Sequence, residues 1–323
     1  MRPLARFAAA LGVALALAGG VAGAQDYPNR PIKVIVPYPP AGGTDIVIRA
    51  FSDALGQALG QPLVIENRGG AAGNVGTEVA ARSAPDGYTI LFTLSSHTIN
   101  PKLYGKLPFD VEKDFTAIGL AANVPQILVA NINTPFNNVQ ELIAYAKANP
   151  GKLNFASVGT GSPAHIAGEL LKLKAGIDMV HVPYKGGGPA VADTLGGQVQ
   201  LAFVSLPAAW QHVKAGRLKA IAVTSDKRTA AAPDVPTLVE GGVPDCVVNS
   251  WYGAFAPART PPAAIARLNA AMNGVLQKPE IKERLLLQGA EAATSTPQEL
   301  DARVHEELAK WDYVIKAANI KPD

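Results

Sequence analysis

The sequence contains a single cysteine, Cys246, in 323 residues. One thiol cannot close an intrachain disulfide or supply a thiolate cluster, so disulfide scaffolds and Cys-based zinc sites are excluded and stability must come from packing. Cys246 follows Pro244-Asp245 with no histidine or helix start nearby, and reads as a small buried hydrophobe. Charge is also scarce: 17% of residues are charged, and 29 basic residues nearly balance 26 acidic ones. That excess is too small for a nucleic-acid footprint, and the 48% apolar content argues against a disordered tail. The five histidines, His97, His165, His181, His212 and His305, show no paired ligand spacing. With no H-E-x-x-H and no G-x-S-x-G, neither a metal site nor a hydrolase elbow is expected.

One long apolar run is present, at the amino terminus. Arg2 and Arg6 precede an Ala/Leu/Val/Gly stretch from Phe7 that ends in Ala22-Gly23-Ala24, the pattern of a cleaved secretory signal peptide over residues 1–24. A membrane anchor is the alternative, but the run is rich in small residues and only marginally long enough to span. No cysteine follows it, which closes the lipoprotein route. Cleavage removes two Arg and no acids, so the formal charge falls from +3 to +1. Export also removes the chain from the cytoplasmic ATP and NAD pools. The expected location is the periplasm.

The remaining length suits two domains of the usual size, roughly 100–200 residues each. Ile32–Val36 is a β-branched strand, followed by the loop Pro37–Gly43 and a helix through Leu59, with Ile48, Phe51, Leu55 and Leu59 on one face and Thr44 or Asp45 as its cap. Further strands are expected at 62–66 and 88–93, the latter ending in Ser95-Ser96-His97-Thr98. From about residue 125 the pattern restarts. Strands are expected at 127–130, 153–157, 179–182, 199–204 and 219–224, with helices at 139–148, 189–195 and one opening at Ser162-Pro163. That dipeptide places a capping oxygen and a proline where a helix start accepts both. The tail is helical over 261–276, 279–288 and 297–318. Alternating strands and helices imply an α/β fold with largely parallel sheets. The loops after Val36 and after Ser157 are similar units about 120 residues apart, as if each heads its own sheet. Two lobes facing across a cleft follow, because ligands of parallel sheets bind beyond the strands' carboxyl ends.

Ala41-Gly42-Gly43-Thr44 and Gly159-Thr160-Gly161-Ser162 both put small residues before a helix, where unpaired N–H groups favour an anion. Gly159–Ala164 formally satisfies G-x-G-x-x-G/A, but the acidic residue at the expected distance, Asp178, precedes the next strand instead of closing it. Strand and helix ends add Ser95, Ser96, His97, His165 and Ser205 as candidate ligand contacts. Tyr184 and Lys185, beside three glycines, could reach an anion. Asp45 and Asp193 could receive amino or hydroxyl groups.

Several stretches together resemble the Bug/TctC family of periplasmic solute-binding receptors of tripartite tricarboxylate transporters. They are Pro37-Tyr38-Pro39-Pro40-Ala41-Gly42-Gly43-Thr44-Asp45, Glu66-Asn67-Arg68-Gly69-Gly70-Ala71-Ala72-Gly73-Asn74, Ala84-Pro85-Asp86-Gly87-Tyr88-Thr89 and His181-Val182-Pro183-Tyr184-Lys185-Gly186, with Asp234-Val235-Pro236-Thr237 and Ser250-Trp251-Tyr252-Gly253 beyond them. The match runs in order along the mature chain. The resemblance implies a two-lobed, type II-like periplasmic-binding-protein fold, with residues 25–124 plus 248–323 forming one lobe and 125–247 the other. It implies a small carboxylate in the cleft, gripped through the backbone of Tyr38 and Ala41–Asp45 and of Gly159–Ser162. It further implies a monomer that uses no cofactor, contacts no nucleic acid and delivers its ligand to integral-membrane transporter subunits. Ala41 departs from the family's P-P-G-G-G, in which glycine stands at that position. Two other readings stay open: an exported hydrolase of small esters or amides, with Ser95, Ser96 or Ser162 as nucleophile, and a ligand-sensing subunit of a signalling system.

Overall fold

The computed structural model describes residues 27–317 and 320–321; the expected signal peptide, residues 1–24, lies outside them, as does residue 318 of the last expected helix. The β-branched run Ile32–Val36 forms β1, and α1 (Gly43–Leu59) follows with Ile48, Phe51, Leu55 and Leu59 all buried. After β2 (Leu63–Asn67) and a short 3-10 turn at Ala71–Gly73 come α2 (Asn74–Ala81) and β3 (Thr89–Leu94). β1 lies between β2 and β3 and is parallel to both. Next are α3 (Ser96–Leu103) and β4 (Phe115–Asn123).

The chain then enters a second sheet. It is built from β5 (Gln126–Asn131), α4 (Val139–Ala148), β6 (Asn154–Ser157), α5 (Pro163–Ala175), β7 (Val180–Pro183), α6 (Gly187–Leu195), β8 (Leu201–Ser205), α7 (Leu206–Lys214) and β9 (Leu218–Val223). A return segment brings β10 (Trp251–Pro257), α8 (Pro262–Leu276), α9 (Pro279–Leu287), β11 (Glu291–Ala292) and α10 (Pro297–Ala317) back to the first sheet. The strand orders are β11-β4-β10-β3-β1-β2 and β7-β6-β8-β5-β9.

The sheets are mixed rather than largely parallel. β10 runs antiparallel to β3 and β4, and β5 runs antiparallel to β8 and β9. Both reversed strands follow a crossing between the sheets, so their direction is set by where the chain enters and not by a βαβ unit. The pattern of residues 115–123 and 251–257 did not suggest strands. Both segments are rich in Ala and Gly, and β10 is buried along its whole length, so neither alternates. Helices α2, α3 and α7 were also unexpected; α2 and α3 are each eight residues long, and α3 holds Pro101. The cap of α1 is Gly42, ahead of both Thr44 and Asp45, which fall inside the helix's first turn.

The two crossings lie side by side. Val124 N donates to Ser250 O at 2.9 Å, Thr224 N to Gln126 O at 3.0 Å, and Val248 N to Thr224 O at 2.9 Å. α10 backs this junction: Leu300, Val304 and Leu308 pack with Leu91, Trp251 and Phe255, while Trp311 and Ile315 join the larger apolar cluster that includes Ile99 and Leu103. Glu307 fixes the register of this helix. Its Oε1 accepts the Trp251 indole N–H at 2.8 Å, and its Oε2 accepts the Thr98 hydroxyl at 2.8 Å. Glu307→Ala is expected to lower unfolding free energy by about 1–3 kcal/mol, since it strands the buried Trp251 indole N–H, while the Thr98 hydroxyl keeps the Ser95 carbonyl at 2.8 Å. Urea unfolding measures the loss; an unchanged midpoint would show that α10 docks by apolar packing alone.

Candidate functional site

A narrow cavity lies between the two sheets. The first sheet's side contributes Tyr38, Gly42, Gly43, Thr44, Leu94 and Tyr252; the second contributes Gln126, Val158, Pro163, Gly187 and Ser205. Its volume is about 10 Å³, close to one water-sized sphere, so the two sides are closed on each other. A Cβ on Gly43 would overlap Ser205 Oγ and come within 2.7 Å of the Tyr252 hydroxyl. One on Gly161 would lie 2.5 Å from Asn100 Oδ1. Glycine at these positions is what permits the approach. Tyr104 also reaches across, its hydroxyl donating to Thr160 O at 2.8 Å.

The elements that feed the cavity share one property. Gly43 and Thr44 open α1, Pro163 opens α5, Gly187 opens α6 and Ser205 caps α7, so four helix N-termini converge. A helix N-terminus carries roughly half a positive charge, presented by whichever of its first backbone N–H groups stay unpaired. Among the described residues, no charged side chain lines the cavity. His165 remains neutral near neutral pH: burial, followed by its neighbours His181 and Lys172, pulls its pKa down to about 3. Burial pushes the Tyr252 hydroxyl up to about 12, so it too is neutral, despite the hydroxyls of Ser205 and Thr44 beside it. The arrangement attracts an anion through backbone dipoles and offers no full charge to neutralise it.

Of the residues singled out in the sequence, Tyr38, Gly42, Gly43, Thr44 and Ser205 line the cavity. Others stand one layer behind and hold its loops. The Asp45 carboxylate does not face the cavity: it accepts Ala41 N–H at 3.0 Å, Arg49 Nε at 2.9 Å and Asn67 Nδ2 at 3.0 Å. Burial alone would raise its pKa, but these donors outweigh burial and keep it below the usual carboxylate range. The same bond takes the Ala41 N–H that was expected to meet a ligand.

The Gly159–Ser162 loop is likewise tied to itself. Ser162 N donates to Gly159 O at 3.1 Å, and Ser162 Oγ caps α5 by accepting His165 N–H at 3.2 Å. Gly161 N donates to His165 Nδ1 at 3.3 Å and Gly159 N to Ser157 Oγ at 3.1 Å. His165 stacks on His181 with ring centroids 4.0 Å apart, and His181 Nε2 lies 2.7 Å from Ser157 Oγ. This loop therefore shapes the wall and presents Pro163, not a row of free amides.

Ser96 and Tyr38 share a short hydroxyl contact under the Ala72 carbonyl, and Ser95 Oγ lies 2.9 Å from Ser250 Oγ at the crossing. The remaining candidates are elsewhere. His97 is buried between the rings of Phe115 and Phe255, with neither ring nitrogen hydrogen-bonded, because α3 turns it into the apolar core. Tyr184 donates to Asp193 Oδ2 at 2.7 Å, and Lys185 is exposed beyond them. Sequence reasoning missed Leu94, Gln126, Val158, Pro163, Gly187 and Tyr252 as lining residues; only the S-W-Y-G and K-G-G-G motifs hinted at two of them.

Residues 47–320 match the family described as tripartite tricarboxylate transporter family receptor, TctC. The chain belongs to this family. Protein BugT of Bordetella pertussis is 38% identical over 322 residues, 98% of this chain and 99% of that protein. Among solved structures, the periplasmic binding protein BugD superposes with a TM-score of 0.88 at 35% identity, covering 92% of this chain and 100% of that one. MatC from Rhodopseudomonas palustris, solved with bound malate, superposes with a TM-score of 0.85 at 33% identity, covering 90% and 100%.

In this TctC receptor, Ala41 sits at φ 60°, the left-handed region that glycine enters freely. Strain of about 1–2 kcal/mol, less the roughly 0.5–1 kcal/mol of extra chain entropy that glycine loses on folding, leaves a net gain of about 0.5–1 kcal/mol for Ala41→Gly. Thermal unfolding should show a higher midpoint; a lower one would mean that the Asp45 bond already absorbs the strain.

A second expectation concerns His97, whose pKa burial lowers to about 3. A base with a depressed folded pKa binds protons more readily when unfolded, so stability falls as pH drops below the unfolded value of about 6.5. The slope approaches about 1.4 kcal/mol per pH unit from this one group until pH nears 3. His97→Leu should remove that share of the acid sensitivity, read as a shallower fall of melting temperature between pH 6 and 4. An identical slope would assign the effect to other groups.

Proposed function

We propose that this protein is a non-enzymatic solute receptor that closes two lobes, residues 25–124 plus 248–323 and residues 125–247, on a small carboxylate. It then delivers the acid to the integral-membrane subunits of a tripartite transporter. The observation that carries this reading is the convergence of four helix N-termini on one cavity without a charged side chain. Fixed dipoles of that sign suit an anion, and a binding site that must also release its cargo gains from lacking a full counter-charge. The malate bound to MatC supports a carboxylate as the cargo. The relatives' description as periplasmic binding proteins supports export after removal of residues 1–24, and the receptor acts as a monomer.

A hydrolase is the weaker reading. The hydroxyls of Ser95, Ser96 and Ser162 are engaged with Ser250, Tyr38 and the His165 amide. Ser157 does pair with His181, but it is fully buried behind the Gly159 loop and does not line the cavity.

Closure turns on the two hydrogen-bonded crossings near residues 123–125 and 248–252, and its reporter is Gly43. A panel of small mono-, di- and tricarboxylates should include at least one that raises the melting temperature, by about 2.7 kcal/mol of stabilisation at 100 times its dissociation constant. The methyl ester of that acid should give no shift. Solution scattering should show a protein more extended than this closed structure before the acid is added and contraction on adding it, and Gly43→Ala, whose Cβ meets Ser205 across the cleft, should abolish the contraction. Equal stabilisation by acid and ester, or conversion of either, would overturn the receptor reading.

A further inference from the structure

Among the described residues that line the cavity, the Tyr252 hydroxyl is a fully buried polar atom with no hydrogen-bonding partner. The Tyr252 hydroxyl, on the middle strand of the first sheet, is completely buried and makes no hydrogen bond of acceptable geometry. The hydroxyls of Thr44, in the first turn of α1, and Ser205, from the opposite lobe, stand beside it. All three residues are at most 6% exposed. A buried hydroxyl left unpaired is costly, and phenylalanine would fill the same space without that cost. A tyrosine is therefore suited to this position when something enters the cavity to accept a hydrogen bond from it.

We propose that Tyr252 is the side chain that reads the ligand, its hydroxyl donating to one carboxylate oxygen of the bound acid, with Ser205 and Thr44 completing the shell of that oxygen from the two lobes. The inference rests on the receptor reading above and adds a specificity-determining residue to it. The helix N-termini attract any anion, but they are spread around the cavity and carry no direction of their own. A phenol on a buried strand is rigid, with two side-chain torsions held by packing against Phe92. It fixes where the carboxylate sits. Because Ser205 belongs to the second lobe, an oxygen held by Tyr252 and Ser205 together also ties occupancy to closure. The inner wall so built takes a deprotonated acid in preference to its primary amide, because the amide brings one acceptor oxygen where the carboxylate brings two and carries no charge for the helix N-termini to stabilise.

The test compares the parent with Tyr252→Phe and Ser205→Ala, using malate and a set of C4–C6 dicarboxylic acids with their monoamides as probes. Melting temperature without probe should be equal or higher in Tyr252→Phe, since the unpaired hydroxyl is gone. Calorimetry should show affinity for the preferred acid falling about 10–100-fold, with the preference for acid over monoamide reduced by at least tenfold. Ser205→Ala should lose affinity in the same direction and keeps the test decisive if Tyr252→Phe folds poorly. If the parent binds an acid and both variants bind it as tightly, with the acid-to-amide ratio unchanged, Tyr252 does not read the carboxylate, while the receptor reading stands. If the parent binds none of the acids, the receptor reading fails first and this inference fails with it.

Discussion

Backbone dipoles, not side-chain charges, supply the electrostatics of this cleft, and much of the architecture serves to point them at one place. A helix N-terminus is useful only if its first N–H groups are uncovered, which requires small residues around it. Gly42-Gly43 and Gly186-Gly187 meet that demand; the Ser162-Pro163 start does not, because Ser162 Oγ takes the His165 N–H and Pro163 has none, so it contributes a rigid wall. The polar layer behind them, with Asp45 bound to Arg49, Asn67 and the Ala41 amide, and His165 holding the Gly161 amide, keeps the loops in place without putting charge into the cavity. A lysine or arginine in the same place would bind an acid more tightly and release it more slowly.

The same economy governs the junction between the sheets. Two crossings pair through backbone hydrogen bonds, and α10 supports them from outside through Glu307 and the row Leu300, Val304, Leu308. Each crossing contributes to the cavity directly, Gln126 from the outgoing one and Tyr252 from the returning one.

Two buried histidines illustrate how little of the titratable chemistry here is functional. His97, between Phe115 and Phe255, is core. His165, stacked on His181, is a loop support. Both are neutral for the same physical reason, desolvation, and that neutrality keeps the field of the cleft set by the helices.

The α/β class, most of the strands and helices of the second sheet, the Ser162 cap and the loop from Tyr38 to Thr44 could be read from the sequence, because each depends on local rules: β-branched runs, a 3.6-residue apolar period, serine before proline. The family resemblance lay in contiguous motifs and was equally legible. What could not be read was long-range. Strands β4 and β10 are buried on both faces and poor in alternation, so only their neighbours make them strands. Asp45 and Ala41 cancel each other's availability through a bond that appears only when the loop folds back. Tyr252 lies more than 200 residues from Thr44 and reaches it because the chain returns to the first sheet. Local pattern determined which segments could end at a cleft; the crossing of the sheets decided which side chains face it, since register and strand direction are fixed by contacts that no short window of sequence contains.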